Sequence, residues 1–260
     1  MTTPSESRPG AALVPALRLQ GLYRRFGGVT AISDISLEVV AGARHGIIGP
    51  NGAGKTTLFN VISGELSASD GRIELFGRNV TRMSSVRRVR LGLGRTYQIT
   101  RTFSTMTVRE NLTLGVNGQG RHKFSMLKPW RTYSTMSAEV ARLAEEFGLS
   151  HRLDSPASDL SHGEVRQLEV ALAIALKPKL LLLDEPGAGL SPGERVGMRA
   201  LLKGLSPDLT LIMIEHDMEL VRDVVESMHV LDFGEVVADG PTREIQSDER
   251  VRRIYLGSRA

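Results

Sequence analysis

The stretch Gly49-Pro50-Asn51-Gly52-Ala53-Gly54-Lys55-Thr56, followed by Thr57, has the spacing G-x-x-x-x-G-K-[ST] of a phosphate-cradling loop. Glycines let a backbone come close to phosphate oxygens, and such a loop opens a helix whose free N–H groups and dipole favour anions. Lys55 is expected to reach the β- and γ-phosphates of a nucleotide, and Thr56 to place its hydroxyl on Mg²⁺. The flanks suit this role. Residues 46–48 read as a short buried strand and residues 58–62 as a helix.

Carboxylates follow far down the chain. Lys179-Leu180-Leu181-Leu182-Leu183-Asp184-Glu185-Pro186 is an apolar strand running into two acids, and such a strand belongs at the centre of a parallel sheet. Asp184 suits Mg²⁺ beside the Thr56 hydroxyl. Glu185, pointing the other way along the strand, is placed to polarise a water. Thr210-Leu211-Ile212-Met213-Ile214-Glu215-His216-Asp217 repeats the design, with His216 placed to bond a γ-phosphate or orient the water. Gln98 ends a shorter strand and is placed to touch the metal or that water.

Two further positions have both a plain and a chemical reading. Ser161-His162-Gly163-Glu164 opens a helix, and a Ser with a Glu three residues later is a capping box. The same helix start offers a second anion site, with Ser161 and the Gly163 backbone facing it. Phe26, at a tip between two strands, either stacks on a base or is a half-exposed turn aromatic.

The elements that must position these groups are legible in part. Residues 17–23 and 31–39 alternate apolar and polar side chains, an antiparallel β-layer ahead of the phosphate loop. Residues 72–77 read as an edge strand, and Arg87, Arg88 and Arg90 as the solvated face of a short helix. Residues 107–114 and 137–147 are helical, 118–130 read as a loop or insertion, and Trp130 is assigned to packing. Residues 218–225 form another helix, 228–238 a hairpin around Gly234, and the last twenty residues short helices with a basic tail.

Composition bounds the rest. The 260 residues are 41% hydrophobic and 24% charged with a net charge of +4, too modest to indicate nucleic acid. No 18-residue apolar run is present, so no membrane-spanning helix is expected. The absence of cysteine excludes disulfides and thiolate metal sites and fits a reducing compartment. Residues 1–10 lack the apolar segment of a signal peptide and read as a disordered tail.

Taken together and in this order, these motifs resemble the ATP-binding subunits of ABC transporters, from about Leu17 to Gly257. Phe26 matches the family's adenine-stacking aromatic, residues 49–56 its Walker A loop, and Gln98 its Q-loop glutamine. Leu160-Ser161-His162-Gly163-Glu164 matches the signature sequence, residues 180–185 Walker B with the catalytic glutamate, and His216 the switch histidine. The resemblance is finer still. Gly94-Arg95-Thr96-Tyr97-Gln98, Phe103, residues 106–112, Ile214-Glu215-His216-Asp217-Met218 and the ending Ile254-Tyr255-Leu256-Gly257 look like the branched-chain amino-acid importer ATPases, a group that also serves amides and urea. The lipopolysaccharide-export ATPase shares the Tyr-Leu-Gly ending, but not the Arg-Thr-Tyr-Gln stretch. Three departures stand out: His162 where Gly is usual, Glu164 where Gln is usual, and Ser191 where Asp or Asn is more common.

The resemblance implies an α/β P-loop NTPase (RecA-like) core with an N-terminal antiparallel β-layer and an inserted helical subdomain. Residues 1–14 form the tail, 15–98 and 166–240 the core, 99–165 the helical subdomain and 241–260 a C-terminal tail. It implies ATP and Mg²⁺, with Thr56, Gln98 and Asp184 managing the metal. Residues 49–57, Phe26, Ser161, Gly163 and Glu164 would hold the nucleotide, Glu185 act as general base and His216 hold the γ-phosphate. Implied partners are a second ATP-binding subunit, identical or homologous and docked head to tail, and transmembrane permease subunits. A substrate-binding protein acts indirectly, nucleic acid plays no part, and the chain lies on the cytoplasmic face of the membrane. The competing readings are an exporter ATPase and a soluble ABC ATPase; one nucleotide module without heptads speaks against the second.

Overall fold

The computed structural model describes residues 14–96, 102–118 and 134–257. Two sheets organise them. The first contains β1 (Leu17–Phe26), β2 (Val29–Val39), β4 (Asp70–Leu75) and β5 (Arg78–Asn79) in the order β2-β1-β4-β5. All its pairings are antiparallel. Period-2 alternation puts Leu17, Leu19, Leu22, Ile32, Ile35, Leu37 and Val39 on one buried face. Residues 72–77, expected as an edge strand, are in fact flanked on both sides. β4 pairs with β1, and the two-residue β5 takes the edge.

The second sheet runs β10-β9-β3-β8-β7-β6, from β3 (Arg44–Ile48), β6 (Leu93–Arg95), β7 (Leu180–Asp184), β8 (Thr210–Ile214), β9 (Ser227–Asp232) and β10 (Glu235–Pro241). All pairs are parallel except β9–β10. β3, β7 and β8 are buried on both faces, as parallel strands between layers must be; β7 and β8 read as apolar runs, while β3 carries Arg44 and His45 ahead of its apolar end. Their side chains alternate between two cores. Ile47, Leu180, Leu182, Ile212 and Ile214 join the antiparallel layer and the helix α1 (Lys55–Ser63). Ile48, Leu181, Leu183, Leu211 and Met213 join the opposite core, shared with α3 (Val108–Asn117), α4 (Ser134–Glu146), α5 (His162–Ala175), α6 (Pro192–Gly204) and α7 (Met218–Val224).

The short helix α2 (Ser85–Arg90) corrects the expectation of a solvated basic face. Arg87 and Arg90 are exposed, but Arg88 is only 1% exposed. Its guanidinium donates to the Val61 and Ile62 carbonyls at 2.7 Å and to Met83 and Thr81 at 3.1 Å. Two of these are last-turn carbonyls of α1, groups a helix leaves unpaired and where its dipole favours a cation. Burial pulls the Arg88 pKa down to about 10, which leaves it charged at neutral pH. The chain closes with α8 (Thr242–Ser247) and α9 (Glu249–Gly257). Among the described residues no helix is long and apolar enough to cross a membrane.

Candidate nucleotide site

The phosphate loop leaves β3 and turns directly into α1. Gly49 has φ +154, and a Cβ there would lie 2.1 Å from the Leu231 carbonyl; Gly54 has φ +96, and a Cβ there would lie 2.5 Å from the Ala31 carbonyl. Neither position admits a side chain. The β9–β10 turn braces the loop from outside through Gly234 N–H to Ala53 O at 3.1 Å. Lys55, 6% exposed, curls back so that Nζ donates to Gly49 O at 2.7 Å and Pro50 O at 2.9 Å. Burial lowers its pKa, and the charges of Glu185 and Asp184 act against that.

The start of α1 differs from those of α3, α5 and α6, though not from that of the short α2. Helices α3, α5 and α6 all open with complete capping boxes, Thr107 with Glu110, Ser161 with Glu164, and Ser191 with Glu194. Helix α1 has no side-chain cap and no acid in its first turn. First-turn N–H groups that no side chain caps are of the kind that favours an anion.

Asp184 ends β7, its side chain fully buried. Its N–H donates to Thr96 Oγ1 at 3.2 Å, and Oδ2 lies 3.4 Å from Arg95 Nη2. Oδ1 is buried with no hydrogen-bond partner among the described residues. Burial raises the Asp184 pKa, with Arg95 opposing. An unfilled buried carboxylate oxygen beside a loop that carries Thr56 fits a hard cation that keeps waters and phosphates as its other ligands. Arg95 also donates to Ser63 Oγ at 2.8 Å and lies 3.4 Å from Glu65 Oε2, so it ties the far end of α1 to Asp184.

Glu185 is aimed by a turn. Strand alternation was expected to point it away from Asp184, but β7 stops at Asp184, and Glu185 has φ +51. Its N–H still donates to Ile214 O at 2.9 Å. A non-glycine residue held left-handed is strained, and such strain clusters at functional sites. Glu185 Oε1 lies 2.8 Å from His216 Nε2. The two loops are joined by Glu215, 3% exposed, which accepts from Gly187 N and His216 N at 2.6 Å and Asp217 N at 3.2 Å. Burial raises its pKa, and these three N–H groups oppose the rise.

At α5, Ser161 Oγ accepts from Glu164 N at 3.2 Å, and Glu164 Oε2 accepts from Ser161 N at 2.7 Å. Glu164 Oε1 also takes Arg152 Nε at 2.8 Å. Burial works against ionisation, but Arg152 and Ser161 outweigh it and hold the carboxyl down at about 2. Glu164, expected among the nucleotide-binding residues, is placed at the helix start, bonded to Ser161 and Arg152. Phe26 closes β1 opposite Val29, 43% exposed, with the Arg24 guanidinium 4.4 Å from its ring centre. Asn51 and Gly52 are exposed at the loop tip, and Thr57 is half-buried in α1. Gln98 and Trp130 lie outside the described residues.

The structure therefore gathers Lys55, Asp184, Glu185 and His216 at one end of the parallel sheet, as the sequence predicts. Sequence reasoning missed Glu215, whose partners are backbone groups, and gave Arg95 no role. A polar residue directly ahead of His216 was the only signal for Glu215.

A phosphate loop opening an uncapped helix, beside a sheet-end pair of carboxylates and a histidine, defines an ATP-binding cassette. Residues 32–188 match the family described as ABC transporter, and the chain belongs to it as an ATP-binding, ATP-hydrolysing subunit. Within that family it groups with the cassettes of branched-chain amino-acid systems: residues 235–260 match the family described as branched-chain amino acid ATP-binding cassette transporter. The chain is 36% identical over 250 residues to the high-affinity branched-chain amino acid transport ATP-binding protein LivG of Salmonella typhimurium, covering 94% of this chain and 98% of that one. BraF of Pseudomonas aeruginosa, with the same description, is 34% identical over 251 residues, covering the same shares. Among solved structures, a nucleotide-free ATP-binding cassette from an ABC transporter superposes with a TM-score of 0.82 at 30% identity, covering 93% of this chain and 98% of that one.

Proposed function

We propose that this chain hydrolyses MgATP to power an importer for branched-chain amino acids or related amides and urea. The observation that carries the catalytic part is the convergence of Glu185, His216 and the orphaned Asp184 Oδ1 on the loop of Lys55. Lys55 and the loop amides neutralise the phosphates, and Phe26 stacks on the base. Mg²⁺, when bound, offsets phosphate charge, and Thr56, Gln98 and Asp184 would hold it. Glu185 takes a proton from the attacking water while His216 fixes the γ-phosphate side.

One loop covers one side of a triphosphate. A second ATP-binding subunit, identical or homologous, docks head to tail and brings its Ser161 and Gly163 against the same phosphates. Residues 99–165 act as the helical subdomain, and a transmembrane permease receives the motion at the surface near residues 99–112, where Phe103 is 57% exposed. The subunit then lies at the cytoplasmic face of the membrane. The similarity to branched-chain amino acid transport ATP-binding proteins favours import over lipopolysaccharide-type export.

Copurification tests the partner and substrate assignment. We expect permease subunits of an importer to come down with the tagged chain, and the reconstituted complex to take up leucine, isoleucine, valine, an amide or urea. Recovery of export-type subunits overturns the substrate assignment.

A further inference from the structure

The N-terminus of α5 is held by a carboxylate from another helix. Gly163 N donates to Glu194 Oε1 at 3.1 Å. The other oxygen of Glu194 closes its own capping box on α6, accepting from Ser191 N at 2.9 Å and Ser191 Oγ at 2.7 Å. One side chain thus serves two helix starts. The fit is close, since a Cβ built on Gly163 would lie 2.5 Å from Glu194 Oε1. A methyl group there would evict the carboxylate.

A second contact runs parallel to the first. His162 Nε2 lies 3.2 Å from Ala188 O, and a Cβ on Gly189 would lie 2.6 Å from that same nitrogen. Ala188, Gly189 and Ser191 belong to the loop that follows Asp184 and Glu185. Two side-chain contacts therefore clasp the start of α5, His162 to that loop and Glu194 to the start of α6.

In the head-to-tail arrangement, on which this inference rests, the Gly163 N–H faces the γ-phosphate of ATP held by the other subunit. That N–H already has an acceptor, and the acceptor is an anion. Ser191 holds the Glu194 carboxyl below its usual range, so it stays charged at neutral pH. Phosphate and carboxylate cannot both take one donor, and like charges this close repel.

We propose that Glu194 is a positioning residue for α5: it occupies the Gly163 N–H until the γ-phosphate of partner-held ATP displaces it. Glu194 thereby sets the ATP concentration at which the two subunits close. It acts through α5 and touches no reacting atom.

The test uses Glu185→Gln as background, so that the closed pair accumulates, and compares it with the same chain carrying Glu194→Gln or Glu194→Ala. Sedimentation velocity across an ATP titration gives the midpoint of closure, run on the chain alone and with any homologous ATP-binding subunit that copurifies. Equilibrium binding of ATP at low protein concentration gives the affinity of the single subunit. Glutamine keeps one acceptor oxygen for the Ser191 box and replaces the charged oxygen facing Gly163 N–H with a neutral donor, which separates closure from folding.

We expect both substitutions to lower the closure midpoint by roughly five- to a hundredfold, the span of typical coupling between sites. Single-subunit affinity stays unchanged, because the phosphate loop is untouched. A merely structural role would lower the melting temperature of Glu194→Ala and leave the midpoint of folded Glu194→Gln in place. That outcome, or a raised midpoint, overturns the proposal. If Glu185→Gln alone never closes at saturating ATP, the head-to-tail arrangement falls and this inference with it.

Discussion

His216 Nε2 and Glu185 Oε1 lie 2.8 Å apart, each at the end of a different central strand. The strands β7 and β8 are parallel neighbours, with Asp184 opposite Ile214, so the two loops leave the sheet side by side. Burial of Glu215 under three N–H groups then fixes where both loops go. The histidine thus orients the carboxylate that would take a proton from water.

Glu185→Gln keeps the hydrogen bond to His216 and removes the base. ATPase turnover is expected to fall by about two to four orders of magnitude, the usual share of a general base. ATP affinity should be retained, and an ATP-bound pair should accumulate on size exclusion. A fully active variant, or one that stays monomeric with ATP, refutes the head-to-tail mechanism.

Arg95→Gln removes the cation 3.4 Å from Asp184 Oδ2 and the link to Ser63. The carboxylate should lose its fixed rotamer, so the Mg²⁺ concentration for half-maximal ATPase should rise by roughly tenfold, with nucleotide affinity in EDTA unchanged. An unaltered Mg²⁺ dependence shows that Asp184 is positioned without Arg95.

Arg88→Met removes a donor from the carbonyls of Ile62, Met83 and Thr81, and leaves Val61 O only the Gly64 N–H. Each buried carbonyl left without a donor costs about 1–3 kcal/mol. Urea denaturation should show it as a lower midpoint at constant slope. Retention of wild-type stability would mean that water reaches those carbonyls.

How much of this was legible beforehand depended on the range of each contact. Residues 49–57, the four leucines before Asp184, and His216 announce themselves because spacing and apolar runs are local properties. The capping box of Ser191 and Glu194 is equally local, yet its second bond, to Gly163, spans 31 residues and two helices. Arg88 was misread for the same reason: three arginines on a helix look solvated until one of them meets the end of α1. Glu185 leaves the sheet through a left-handed turn, where strand alternation was expected to aim it.

Acid should destabilise the sheet at β3 and β9. His45 Nε2 sits 2.5 Å from His229 Nδ1, and burial, with His229, lowers the His45 pKa to about 3. The unfolded chain binds this proton from about pH 6.5 downward, the folded chain only near 3. Stability from this site is therefore complete above pH 6.5 and is lost as pH falls, by at most about 1.4 kcal/mol per unit. Glu215, with its raised pKa, acts in the opposite direction. Thermal melts of wild type against His45→Gln should isolate the histidine as a flatter acid limb in the variant. Parallel limbs refute the assignment.

The alternation of β7 between two cores has a consequence for how such a chain can change over generations. Leu180 and Leu182 belong to one core, Leu181 and Leu183 to the other, and Asp184 follows in step. Swapping one aliphatic residue for another disturbs a single core by a methyl group or two. Inserting or deleting one residue exchanges the two faces and turns Asp184 away from the phosphate loop. The strand can drift in composition, but its length is held by the carboxylate at its end.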